Sequence, residues 1–260
     1  MVSPVNSKIK YLARWGYSAR GAIYLIIGSL AVLAAIGQGG RTTGSKGALV
    51  TLLAKPLGDV LVGLIAAGLV GYSVWRFVQA AWDVDGHGTR VKGLAIRSGL
   101  AVSAFTHLSL AVFCLSMLLG FSLGGSGSQR WTAWLLGQPF GRWAVGLVGL
   151  AVIGAGAANL IKGIGGKFKK QFDMDRMTMA WASPVCVFGL AARGLAFFLI
   201  GGFIVIAGVN FEPEKARGLS GVLSTIHRQP YGPYLLMVVA VGLFAFGVYS
   251  VLAAIYRRIG

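Results

Sequence analysis

Six stretches of apolar sequence, each long enough to cross a bilayer, leave this chain few choices of fold. They cover about 20–37, 57–81, 98–120, 141–163, 186–209 and 232–256. A spanning helix needs about 20 mostly apolar residues. Weak alternation and abundant Gly, Ala and Leu argue for helices over a barrel. Only 12% of the 260 residues are charged, against roughly 25% in soluble domains. A soluble core would lack the polar surface to stay in solution. The reading is an all-α integral membrane protein with six transmembrane helices, one membrane domain over 1–260.

The first stretch follows Lys8, Lys10 and Arg14 and has the outline of a signal peptide. That reading is set aside because the stretch recurs. Arg14-x-Gly16 returns as Arg97-x-Gly99, and the same shift of 83 carries Pro56 onto Pro139. Gly16–Gly21 returns as Gly189–Gly194, and Pro56 as Pro230. Asp83-Val84-Asp85 is echoed by Asp173-Met174-Asp175. The chain thus reads as three tandem two-helix repeats, at about 10–83, 97–170 and 187–257. In each, a short amphipathic segment (47–54, 131–137, 219–228) precedes Pro-x-Gly. Such a segment suits an interfacial helix outside the bilayer. The proline is expected to stop it and to open the next span from its first turn.

The basic residues give the expected orientation. The N-terminus, the linkers after the second and fourth spans, the C-terminus and adjoining span ends hold 16 of the 24 Lys and Arg; the Pro-x-Gly side holds 8. Both termini are therefore placed in the cytoplasm. With a net charge of +17 spread between apolar runs, the expected partners are the bilayer and its anionic headgroups on that side, not nucleic acid. Other membrane proteins or a second copy are further partners, through small-residue faces.

The segment Ala13–Tyr24, with the later Gly-Ala-Leu, Pro-x-Gly and Trp-Arg…Ala-x-Asp elements, resembles a bacterial six-span family catalogued as domain of unknown function 1206. The second copy departs most: Leu100, Ser103 and His107 stand where the first has Tyr17, Arg20 and Tyr24. The resemblance implies three two-helix repeats in a bacterial inner membrane. It implies no reaction and carries over no catalytic residue.

Small residues recur every seventh position: Gly21, Gly28 and Ala35 in the first span, Gly194, Gly201 and Gly208 in the fifth, Ala104 and Ala111 in the third. Gly63, Ala67 and Gly71 add a stripe in the second. Such stripes let helix backbones approach closely. They read as packing faces, or as a central bundle of the three odd spans with threefold pseudo-symmetry. Arg20, Arg76 and Arg193 lie toward the cytoplasmic ends of spans. The ordinary reading is that they snorkel to headgroups. The sharper one is a cytoplasm-facing vestibule where they hold a carboxylate or phosphate. His107 lies about 15 Å into the bilayer at 1.5 Å per residue, at the repeat position of Tyr24 and Phe197. A hydrogen bond to Tyr24 or another neighbour is expected there. A haem lacks a second histidine at a suitable place.

No carboxylate falls near the bilayer midplane, which counts against ion-coupled transport. The Asp-x-Asp pairs read as charge balance for the basic linkers, since two carboxylates are a weak cation signal. Gly163–Gly166 and the lysines after it read as a flexible basic linker on lipid. Cys114 and Cys186 read as buried thiols. No hydrolase, metalloprotease or nucleotide-binding motif appears, so neither enzyme activity, nor a metal, nor a cofactor is expected. The leading function is a scaffold, accessory or lipid-binding membrane protein. The alternative is a channel or facilitator for a small or anionic solute with an Arg-lined mouth. The third is a quinone- or cofactor-binding redox subunit around His107.

Overall fold

The computed structural model describes residues 7–121 and 127–258, the side chain of Lys8 excepted. Within them run nine α-helices: α1 Ser7–Ala35, α2 Ser45–Leu53, α3 Gly58–Trp82, α4 Val91–Leu118, α5 Gly127–Leu136, α6 Gly141–Ile164, α7 Arg176–Asn210, α8 Leu219–His227 and α9 Gly232–Tyr256. α1, α3, α4, α6, α7 and α9 are long and apolar enough to cross a membrane. The short α2, α5 and α8 precede Pro56, Pro139 and Pro230. α1 starts well before residue 20 and α7 ten residues before 186, running through Pro184. An apolar stretch marks only the hydrocarbon part of a helix. The helix itself continues into the polar region until a cap stops it. At α7 that cap is Asp175, whose carboxylate accepts from the Thr178 N–H at 3.0 Å.

The Pro-x-Gly corner is built differently from the expectation. Proline does not enter the first turn of the next helix. It lies two residues earlier, in a turn closed by Gly58 N–H to Lys55 C=O at 2.8 Å, Gly141 to Gln138 at 2.9 Å and Gly232 to Gln229 at 2.8 Å. The middle residue is left-handed each time: Leu57 at φ 58°, Phe140 at 62°, Tyr231 at 59°. The glycine answers to space instead. A Cβ on Gly58, Gly141 or Gly232 would come within 2.4, 2.1 and 2.0 Å of a carbonyl oxygen of the preceding short helix.

The six spans form an incomplete ring. α4 packs on α3, α3 on α1, α1 on α9, α9 on α7 and α7 on α6; α4 and α6 do not pack along each other. The odd spans α1, α4 and α7 share no central bundle, so of the two readings of the stripes the threefold centre is corrected and the packing face stands. Each small-residue stripe instead faces the second span of another repeat. A Cβ on Gly21 would lie 3.1 Å from Gly247 O, and one on Gly28 2.7 Å from Phe244 N, both in α9. On α7, one on Gly194 would lie 2.9 Å from Gly156 O and one on Gly201 2.7 Å from Gly149 O, while Gly208 meets Val145, all in α6. On α4, Ala104 O accepts from Ser73 Oγ of α3 at 2.7 Å. Small residues on both sides let the backbones meet. On α3, Gly71 approaches Leu12 O of α1 and Gly68 approaches Ala19 and Trp15, whereas Gly63 has only an ordinary contact with Leu118.

The half of the bundle nearer the corners is filled by Ile23, Ile27, Leu69, Leu236 and Leu243. The basic half is filled by aromatic residues: Tyr17, Tyr72, Trp75, Phe168, Phe246 and Tyr249. The linker after α6, expected to be flexible, is folded. Phe168 and Phe172 are buried against Tyr249. Asp173 N–H donates to Tyr256 O at 2.8 Å and Arg258 N–H to Gln171 O at 2.9 Å, tying the linker to the chain end.

Candidate functional site

The three inter-repeat interfaces share one register. Ser73 meets Ala104, Gly156 meets Gly194, and Gly247 meets Gly21. These are equivalent positions of the repeat. One turn toward the basic end, the same register sets Arg76 opposite Ser103, Asn159 opposite Arg193 and Ser250 opposite Arg20. At this level each interface therefore carries one arginine. The second repeat lacks an arginine at Ser103, but α3 supplies one from across the interface as Arg76. The three guanidinium groups come from α1, α3 and α7.

Aromatic rings hold them together. Arg20 stands 5.0 Å from the Tyr72 ring and 5.2 Å from the Phe246 ring. Arg76 stands 4.8 Å from Tyr72, and Arg193 4.6 Å from Phe246. Arg20 thus shares the Tyr72 ring with Arg76 and the Phe246 ring with Arg193. It is only 4% exposed, so the snorkelling reading is corrected for Arg20. It donates from Nε to Ser250 Oγ at 3.2 Å and from Nη1 to the Tyr72 hydroxyl. Arg76 aims Nε, at 2.8 Å, and Nη2 at the same hydroxyl oxygen. Three donors thus converge on an oxygen that offers two lone pairs. Arg193 reaches Asn159 Oδ1 at 3.4 Å, and its buried Nε has no partner. Among the described residues no carboxylate lies within ion-pair distance of the three. The layer is short of acceptors and of negative charge.

Tyr24 packs edge-on to Phe246 at 4.7 Å and lies 5.8 Å from the Arg193 guanidinium. His107 is also brought to the layer, edge-on to Tyr72 at 4.5 Å. Its hydrogen bond does not go to Tyr24. Nδ1 donates to the Ser103 carbonyl of its own helix at 2.7 Å. The sequence reading missed Tyr72, Phe246, Asn159, Lys162 and Arg257. Repeat alignment of the even spans contained the signal, since Arg76, Asn159 and Ser250 share one position.

The Arg-lined mouth of the alternative reading is covered at the basic end. Arg257, 6% exposed, turns inward to donate to the Tyr17 hydroxyl and lies 3.8 Å from Asp85. Asp85 also accepts from Gln79, which accepts from Arg76 at 3.2 Å. Lys162 adds a cation, 5.5 Å from the Tyr249 ring. The remaining linker carboxylates are spent on structure. Asp83 accepts from the backbone N–H groups of His87 and Gly88 at 2.8 and 2.7 Å, and those amides hold it below the usual carboxylate range. Asp173 pairs with Arg258 at 2.9 Å. Cys114 and Cys186 are buried free thiols. Among the described residues no group of His, Cys, Asp and Glu is placed to hold a metal ion.

These features define a multi-pass membrane protein of three two-helix repeats, with an arginine layer inside it. The family model described as Domain of Unknown Function (DUF1206) matches three times, at 15–83, 98–166 and 188–257, and the chain belongs to that family. It is 35% identical over 256 residues to an uncharacterized protein of Bacillus subtilis, YxxB, covering 96% of this chain and 92% of that one. No solved structure matches.

Proposed function

We propose that this chain is a non-enzymatic anion-binding protein of a bacterial inner membrane, both termini cytoplasmic. Its ligand is an oxyanion held by Arg20, Arg76 and Arg193. One observation carries the reading: each interface delivers one arginine to a shared layer that contains no carboxylate. Burying several cations costs several kcal/mol per ion unless opposite charge and hydrogen bonds compensate. A phosphate or sulfate group brings both, with oxygens that suit guanidinium forks. Passage of a solute along the axis has less support. The corner half is packed with aliphatic side chains, and Phe168, Phe172 and Arg257 lie across the basic end.

The test is thermal unfolding of the purified chain in neutral detergent, with inorganic phosphate or sulfate against chloride at equal ionic strength. Phosphate should raise the midpoint of the wild type, and Arg193→Gln should remove that rise. Arg193 is only partly buried, so this variant should keep the fold. A phosphate response undiminished in Arg193→Gln and Arg76→Gln refutes the reading.

A further inference from the structure

In the first and third repeats the two spans close on each other. In the second they do not. Gly16 of α1 meets the backbone of Tyr72, where a Cβ would lie 2.5 Å from Tyr72 Cα, and Gly189 of α7 meets Phe246, at 2.4 Å from its N. Their equivalent Gly99 of α4 has nothing within 4 Å. The same holds one turn on. Gly68 packs on Ala19 and Gly242 on Ala192, at 2.6 and 2.3 Å for an added Cβ, while the equivalent pair, Ala151 and Val102, are both exposed. Where the closed repeats place Tyr72 and Phe246, the second places exposed Ala155. Gly154 has open space where its equivalent Gly71 touches Leu12. The result is a cleft between α4 and α6, walled by small residues and opening to the side.

The cleft leads to the arginine layer. Asn159, the partner of Arg193, belongs to α6 and His107, against Tyr72, belongs to α4, so both helices that bound the cleft reach that layer. Its outer rim is apolar, with Phe105, Leu147 and Leu150 exposed. The depth also fits. Arg20 and Arg193 lie 15 and 17 residues before the corner ends of α1 and α7, about 22–26 Å at 1.5 Å per residue. In a hydrocarbon layer of about 30 Å the guanidinium groups come within several ångströms of the basic-side headgroups.

We infer that the α4–α6 cleft admits an anionic phospholipid of the basic-side leaflet, its phosphate on Arg20, Arg76 and Arg193 and an acyl chain along the small-residue walls. This rests on the anion-binding reading and names its ligand class. Charge complementarity selects the occupant, because the cleft is apolar outside and cationic, without a carboxylate, within. A terminal phosphate with more than one negative charge answers three arginines better than a zwitterionic headgroup does.

The experiment is native mass spectrometry of the full chain in neutral detergent, offered phosphatidic acid, phosphatidylglycerol and phosphatidylcholine in competition. Thermal unfolding with inorganic phosphate runs in parallel. The wild type should retain phosphatidic acid over phosphatidylcholine. Ala151→Trp fills the chain track one turn toward the corner end and touches no arginine. It should cut phosphatidic acid retention about tenfold and keep the response to inorganic phosphate. Retention undiminished in Ala151→Trp overturns the cleft assignment while leaving the anion site standing. A lipid-free dimer that Ala151→Trp dissociates overturns it in favour of a second copy. Indifference of both lipid and phosphate to Arg193→Gln overturns the anion reading itself.

Discussion

Gly16, Gly99 and Gly189 hold one position of the repeat and should answer one substitution with opposite signs. Replacing a mid-helix glycine by alanine gains roughly 0.5–1 kcal/mol from backbone entropy and helix propensity. At Gly99 nothing opposes that gain, since no atom of a neighbouring element lies within 4 Å of the new Cβ. At Gly16 the new methyl would lie 2.4 Å from Tyr72 Cβ, 2.5 Å from its Cα and 2.6 Å from its N. Those atoms belong to a helix, so α1 and α3 must separate. Overpacking of this kind costs about 1–3 kcal/mol. Gly189 meets Phe246 N at 2.4 Å and the same cost. Gly99→Ala should therefore be more stable than wild type by about 0.5–1 kcal/mol, and Gly16→Ala and Gly189→Ala less stable by up to about 2.5 kcal/mol after the propensity gain. The difference between them is the overpacking cost of about 1–3 kcal/mol, centred above the roughly 1.4 kcal/mol of a tenfold change in unfolding equilibrium. Titration of mixed micelles with a denaturing detergent, followed by circular dichroism, measures it. A loss in Gly99→Ala equal to that in Gly16→Ala would show that α4 and α6 close as the other pairs do.

Two further outcomes follow from the linkers and corners. The Thr178 hydroxyl and then its backbone N–H hold the Asp175 carboxyl below its usual range, so its folded value lies below its unfolded one. The helix cap is then present above about pH 4 and is lost as pH falls further. Hydrogen exchange in the first turn of α7 should quicken on acidification, and Asp175→Asn should flatten that dependence; an equally steep profile in the variant refutes the assignment. Phe140, left-handed at φ 62° and 83% exposed, carries a conformational penalty of about 1–2 kcal/mol. Phe140→Gly should raise detergent stability by about 1 kcal/mol, and a lowered stability would mean that its ring is anchored.

The sequence disclosed this architecture because its signals are one-dimensional. Apolar length sets a span, and Pro56, Pro139 and Pro230 mark the corners by recurrence alone. Which faces meet is a pairing problem: the stripe at Gly21 and Gly28 marks a packing face but does not name its partners, Gly247 and Phe244, more than two hundred residues away. Arg20, Arg76 and Arg193 were legible as candidates by type and position. Their convergence was not, because the second repeat shifts its arginine from Ser103 to the facing helix. The covered basic end was equally hidden, since Arg257 and Phe172 meet only after the chain is folded.

The packing of α1 on α9 also bears on how the molecule is made. A ribosome delivers the first span to the membrane and then adds some two hundred residues before the stretch around Phe244 and Gly247 emerges to meet Gly21 and Gly28. At about 5–20 residues per second that delay is roughly 10–40 s. For this interval the glycine face of α1 stands against lipid or an insertion chaperone, with α3 as its companion. The last span to arrive is the one that fastens the first.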